Sequence, residues 1–140
     1  MSGAGEDRTI SSDEHRHCRI ARALFDAFET GALDRAADLL APDFRGFQNG
    51  GEPLDAAALL RFTAAVRDRV PYFRYEEIVC RATANGFVEE HVVRGTLPGG
   101  AQLAIFACVV GEIRGEQIVE LREYLDARAA AGLVAALSPG

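Results

Sequence analysis

Residues 117–126 read Q-I-V-E-L-R-E-Y-L-D, and their alternation of apolar and polar side chains is typical of a β-strand. Successive strand side chains point to opposite faces, so one face carries Val119, Leu121, Glu123 and Leu125. The other face carries Glu120, Arg122, Tyr124 and Asp126. Because an ionised carboxylate is costly to bury, Glu123 must find partners, stay protonated or line a cavity that reaches water. Glu123 is therefore the first candidate for chemistry, unless a register slip or β-bulge turns it outward.

The composition is that of a globular protein, with 140 residues, 49% apolar and 26% charged residues and no apolar run long enough to span a membrane. A net charge of −6 argues against a nucleic-acid partner, because phosphate binding needs a basic surface. The sequence starts without an apolar signal segment, and the three cysteines have no metal-ligand spacing. We therefore expect a protein of the reducing cytoplasm with free, buried thiols and no bound metal or cofactor.

Several kinds of chemistry are excluded by residue type. All 15 basic residues are arginine, which excludes a Schiff base on a lysine amine. Serine occurs only at positions 2, 11, 12 and 138, so a serine nucleophile inside the folded core is also excluded. Catalysis would have to come from carboxylates, His91, tyrosines, arginines or cysteines.

The order of predicted elements indicates an α+β domain. Residues 1–11 are small and polar and are expected to be a disordered tail, followed by one domain over 12–138. Helices are predicted at 12–29, 33–40, 54–69 and 127–137, and a short strand at 44–48. Four long strands are predicted at 72–84, 87–97, 101–114 and 117–126, separated by hairpin-type turns. We expect a curved antiparallel sheet packed against the N-terminal helices, with an apolar pocket between the layers.

This order, ending in G-E-Q-I-V-E-L-R-E-Y-L-D, resembles the NTF2-like superfamily over about residues 14–137. The likeness is to its SnoaL-like, ketosteroid-isomerase-like and limonene epoxide hydrolase-like members. It implies a cone-shaped fold around a pocket for a small apolar ligand, and a homodimer formed through the outer face of the sheet.

Two short motifs resemble limonene epoxide hydrolase in particular. In Phe47-Gln48-Asn49, the resemblance assigns Asn49 to hold a water molecule, while Phe47 replaces a tyrosine of that family. In residues 121–126 it assigns Glu123 as the general base, with Leu121 and Leu125 as pocket walls. The family's arginine and second aspartate fall at Glu90 and Val92. The carboxylate–arginine–carboxylate relay of that family is therefore absent, unless Arg94 reaches the pocket from a shifted register. The ketosteroid isomerase base falls near Gln48, a further candidate for substrate contact.

The segment Glu89-Glu90-His91 lies in the middle of a predicted strand. Either Glu90 or the Glu89/His91 pair faces the pocket, and either would supply an acid to complement Glu123. The alternative is a solvated face with Arg94 as the counter-charge. Tyr124 and Asp126 are further candidates for substrate binding, although Asp126 is also placed to cap the last helix.

Two hypotheses for function follow. The first is a cofactor-independent general acid–base enzyme acting on a small, apolar, oxygenated molecule of polyketide or terpenoid type, by epoxide hydrolysis, cyclisation or isomerisation. Glu123, His91, Glu90 and Asn49 would be its catalytic residues. The second is a non-catalytic ligand-binding or dimerisation module with the same fold.

Overall fold

A computed structural model describes residues 12–138, with side chains from His15 onward, so the predicted tail at 1–11 lies outside the described residues. The described chain contains four helices, which we number α1 (Ser12–Thr30), α2 (Leu33–Leu39), α3 (Ala56–Arg69) and α4 (Ala127–Leu137). It contains five strands, namely β1 (Leu40–Gln48), β2 (Arg74–Ala82), β3 (Gly86–Thr96), β4 (Gln102–Arg114) and β5 (Gln117–Leu125). The predicted α+β class is confirmed.

The five strands form one sheet in the order β1-β5-β4-β3-β2. The four long strands pair antiparallel as predicted, whereas β1 pairs parallel to β5, so the sheet is mixed rather than wholly antiparallel. Strand β1 also begins at Leu40, four residues earlier than predicted, and contains Pro42. An edge strand tolerates a proline because one side of its backbone makes no ladder hydrogen bonds, and the β1 register shifts between Leu40 and Arg45.

A β-bulge in β5 corrects part of the predicted alternation. Glu112 pairs with Glu120 and Ile113 pairs with Ile118, which leaves Val119 as the extra residue. Ile118 is consequently the buried residue at this end of the strand, and Val119 is only half-buried. The bulge lies before Leu121, so the alternation of the remaining strand is preserved.

The helices cover one face of the sheet. Helix α1 buries an apolar stripe against the sheet, formed by Ile20, Ala21, Leu24, Phe25 and Phe28. A second cluster joins α3 and α4 to the far end of β3 and β4 through Val66, Val93, Ile105 and Leu133. Within the sheet, β3 and β4 pack tightly at Gly111, where a Cβ atom would lie 2.2 Å from the ring of its cross-strand partner Phe87. The two clusters leave a space between them, which forms the pocket.

Candidate functional site

An apolar pocket of about 160 Å³ lies between the inner face of the sheet and the helices. Six phenylalanines line it, namely Phe25, Phe28, Phe44, Phe47, Phe62 and Phe73. Leu54 and Phe62 also line it and are 38% and 42% exposed, so they lie where the pocket meets solvent. A cavity of this size holds a molecule of about one six-membered ring.

Four polar side chains line the same pocket: Gln48, Thr63, Tyr75 and Glu123. The Thr63 hydroxyl already donates to the Leu59 carbonyl at 3.0 Å, as is common for threonine within a helix. Its donor is therefore used within α3. Glu123, Gln48 and Tyr75 are the groups left to orient a ligand.

Glu123 enters the pocket from β5, on the same face as Leu121 and Leu125. The parallel pairing of β1 with β5 places Gln48 beside it, and the Gln48 Nε2 donates to Glu123 Oε1 at 3.1 Å. Within residues 15–138 this is the only hydrogen bond to the Glu123 carboxylate, and no arginine forms an ion pair with it. A carboxylate held by one amide and by no cation is available to accept a proton.

Tyr75 reaches the pocket from β2 and is a functional candidate whose facing the sequence did not decide. Burial raises the pKa of its hydroxyl well above the usual 10.0, and the negative charge of Glu123 and two further carboxylates raises it more. The hydroxyl makes no hydrogen bond to any other described residue. Tyr75 is therefore a neutral donor that faces the pocket and has no acceptor in the described part of the chain.

A buried polar pair lies next to Tyr75, outside the pocket. His91 Nδ1 lies 2.7 Å from Glu89 Oε2, and both side chains are fully buried. Arg22 Nη1 approaches Glu89 Oε1 at 3.7 Å. The His91 ring packs against Phe25 and Tyr75, with centroids 4.9 and 4.6 Å apart, but His91 itself does not line the pocket. Of the two alternatives for this segment, the Glu89/His91 pair faces inward.

The structure corrects the placement of the other two candidates on β3. Glu90 is exposed on the opposite face of the sheet, where it pairs in register with Cys108. Arg94 lies on that same outer face and binds Glu76 at 2.8 Å and Glu77 at 3.0 Å. Neither side chain lines the pocket, so neither can act on a molecule inside it.

Three further candidates lie outside the pocket. The Asn49 amide bonds to both backbone groups of Leu125, at 3.0 and 3.1 Å, and does not line the pocket. Tyr124 is 48% exposed on the outer face. Asp126 caps α4, where its carboxylate accepts the Arg128 N–H at 2.9 Å. In contrast, the pocket is lined by Phe47, Gln48, Leu121 and Leu125.

The described residues hold no group of three histidine, cysteine or acidic side chains arranged to bind a metal ion. No helix in this part of the chain is long and apolar enough to cross a membrane.

Solved structures with the same architecture cover almost the whole chain. A proposed polyketide cyclase from Xanthomonas campestris pv. campestris aligns with a TM-score of 0.76 at 22% identity, covering 91% of this chain and 100% of that one. An LEH-like epoxide hydrolase from M. tuberculosis aligns with a TM-score of 0.69 at 18% identity, covering 91% and 99%. A protein with a ketosteroid isomerase-like fold from Catenulispora acidiphila, in complex with trimethylamine, gives 0.70 at 16% identity, covering 86% and 93%.

A curved sheet that encloses an apolar pocket with helices on one side defines a protein of the NTF2-like class, and these structures share that fold. A model of the SnoaL-like domain matches residues 21–121, and the chain belongs to this family. No curated protein matches the chain significantly. The family resemblance inferred from the β5 motif is therefore confirmed.

Proposed function

We propose that this protein is a cofactor-independent general acid–base enzyme for a small, apolar, oxygenated molecule. Glu123 acts as the base, Gln48 orients its carboxylate, and Tyr75 donates a hydrogen bond to the substrate oxygen. The observation that carries this proposal is that one apolar pocket is lined by a carboxylate and a phenol for which residues 15–138 supply no cation and no acceptor, respectively.

The two groups suit reactions in which an oxygen gains negative charge while a proton leaves a nearby atom. In epoxide hydrolysis, Glu123 takes a proton from water as the water oxygen attacks carbon, and Tyr75 stabilises the oxygen released by ring opening. That oxygen then takes a proton from solvent, and Glu123 releases its own proton to solvent. In isomerisation of a β,γ-unsaturated ketone, Glu123 removes a proton from the α-carbon and returns it to the γ-carbon. Tyr75 stabilises the enolate oxygen between the two transfers. A positioned acid or base contributes about 10²–10⁴-fold, and one oxyanion donor about 10²–10³-fold.

The size of the pocket narrows the substrate class. A volume of about 160 Å³ holds one ring, so a larger polyketide- or terpenoid-like substrate would extend past Leu54 and Phe62 into solvent. The reacting oxygen would then belong to the ring or chain end that enters the pocket. The family's solved relatives include a proposed polyketide cyclase and an epoxide hydrolase, which is consistent with chemistry on oxygenated carbon skeletons.

Two one-ring probes test the proposal: cyclohexene oxide for hydrolysis, and a β,γ-unsaturated cyclohexenone for isomerisation. We expect turnover of at least one, and a loss of about 10²-fold or more in kcat/KM in Glu123→Gln. Glu120→Gln is the matched control, because Glu120 lies on the opposite face of β5 with Arg122. Equal turnover by the wild-type protein and Glu123→Gln would refute the role of Glu123.

A second candidate function is non-catalytic binding of a small apolar ligand. It is favoured by the placement of Asn49, Glu90 and His91 outside the pocket, which leaves few polar groups for chemistry. Saturable binding of both probes without turnover of either, together with a co-purified ligand, would support this alternative.

We also propose a homodimer formed through the outer face of the sheet. Phe106 is 68% exposed and Tyr124 48% exposed on adjacent strands of this face, and half-buried Cys108 lies between them along the sheet. Large apolar side chains exposed together favour association. Light scattering coupled to gel filtration is expected to give twice the mass of one chain, and a monomer at micromolar concentration would contradict the proposal.

A further inference from the structure

A second cleft lies on the surface between α1 and β2, away from the apolar pocket, with a volume of about 430 Å³. Two of the chain's three cysteines line it, Cys18 from α1 and Cys80 from β2. Both are partly exposed rather than buried as the sequence led us to expect, so a small molecule in solution can reach them. The proposed function uses neither residue.

The packing of α1 on the sheet explains why the two thiols are neighbours. Cys80 pairs in register with Glu89 on the adjacent strand, and Glu89 forms an ion pair with Arg22. Arg22 lies one helical turn after Cys18 on the same face of α1, because residues four apart are neighbours on a helix. The ion pair therefore holds the Cys18 side of the helix above Cys80, and both thiols line the same cleft.

We propose that Cys18 and Cys80 form an oxidative modification site, which closes to an intramolecular disulfide by reaction with low-molecular-weight disulfides. Arg22 is neutralised by Glu89 and Asp26, and the positive charge of Arg19 at the same cleft favours an anionic disulfide such as oxidised glutathione. The third cysteine, Cys108, lies on the outer face of the sheet opposite Glu90 and takes no part.

The order of reaction follows from the protonation of the two thiols. Burial, followed by the hydrogen bond with Cys18, raises the pKa of Cys80 to about 12, so only a small fraction of Cys80 is thiolate at neutral pH and its attack is the slower step. In the first step the thiolate of Cys18 attacks the disulfide and expels one glutathione thiolate, forming a mixed disulfide. Cys80 then loses its proton to solvent and attacks the Cys18 sulfur, which releases the second glutathione thiolate. One disulfide is reduced to two thiols, and two protein thiols are oxidised to one disulfide.

The test uses the full-length protein incubated with oxidised glutathione and then alkylated and digested. Mass spectrometry is expected to find a peptide pair linking Cys18 to Cys80, which disappears after reduction with dithiothreitol. Closing this long loop is also expected to raise Tm by about 5 °C or more, reversibly.

Variants separate this site from unspecific oxidation. Cys108→Ser is expected to form the cross-link at the wild-type rate, whereas Cys80→Ser is expected to stop at one glutathione on Cys18. The peptide map of the wild-type protein shows whether the Cys18–Cys80 cross-link forms, even where a variant folds poorly. Glutathione found on Cys108 alone, or separate adducts on Cys18 and Cys80 without a cross-link, would overturn the proposal.

Discussion

The neutral phenol of Tyr75 predicts a specific loss of stability at alkaline pH. The unfolded chain releases the tyrosine proton near pH 10, whereas the folded chain retains it because burial and nearby carboxylates hold the pKa of Tyr75 well above 10.0. Above pH 10 the folded state therefore binds more protons than the unfolded state, and the free energy of unfolding falls as pH rises. The stability that protonated Tyr75 contributes is fully present well below pH 10. By pH 11 the free energy of unfolding has fallen by about 1.4 kcal/mol.

The measurement is urea unfolding of the wild-type protein and of Tyr75→Phe between pH 8 and pH 11. All other titrating groups are common to the two proteins, so the difference in unfolding free energy isolates Tyr75. We expect this difference to be constant up to about pH 9 and then to shift by about 1.4 kcal/mol in favour of the phenylalanine variant by pH 11. Parallel curves over the whole range would show that Tyr75 ionises equally in both states, and the assignment of a neutral donor would fail.

Three substitutions test the residues that the structure places outside the pocket. Asp126→Ala is expected to lower the free energy of unfolding by about 1 kcal/mol, measured by urea denaturation, because the cap of α4 is lost while kcat on an accepted probe is unchanged. Asn49→Gly allows the backbone φ of 51° but removes both hydrogen bonds to Leu125. We expect the free energy of unfolding to fall by about 1–2 kcal/mol while kcat is retained. A lower kcat with unchanged stability would instead support the water-holding role of Asn49. Phe106→Arg is expected to give a monomer in light scattering, and a retained dimer would move the interface elsewhere.

The sequence predicted the order of helices and strands because the periodicities are strong and the turns contain glycine or proline. It also predicted the inward direction of Glu123, since the alternation of β5 holds from Leu121 to Leu125. It missed the bulge at Val119 and the parallel pairing of β1 with β5, because both depend on contacts between distant segments.

The candidate site was predicted only in part, for related reasons. For β3, alternation allowed either Glu90 or the Glu89/His91 pair to face the pocket. Val109 lines the pocket and pairs with Glu89, so the Glu89/His91 pair faces inward. Tyr75 could not be placed because β2 changes register between Glu76 and Val79, where Glu77 has a φ of 55°. Such an irregularity breaks the period of two on which sequence interpretation relies.

The central claim is that Glu123 and Tyr75 act together on one molecule bound in the pocket. Exchange of the protons beside the carbonyl of cyclohexanone in deuterated water, followed by NMR, tests it directly with a one-ring ketone. We predict exchange dependent on the protein, a loss of about 10²-fold in both Glu123→Gln and Tyr75→Phe, and a double variant less impaired than the product of the two losses. Bound ketone with no exchange in the wild-type protein, or unchanged exchange in either single variant, would contradict the account.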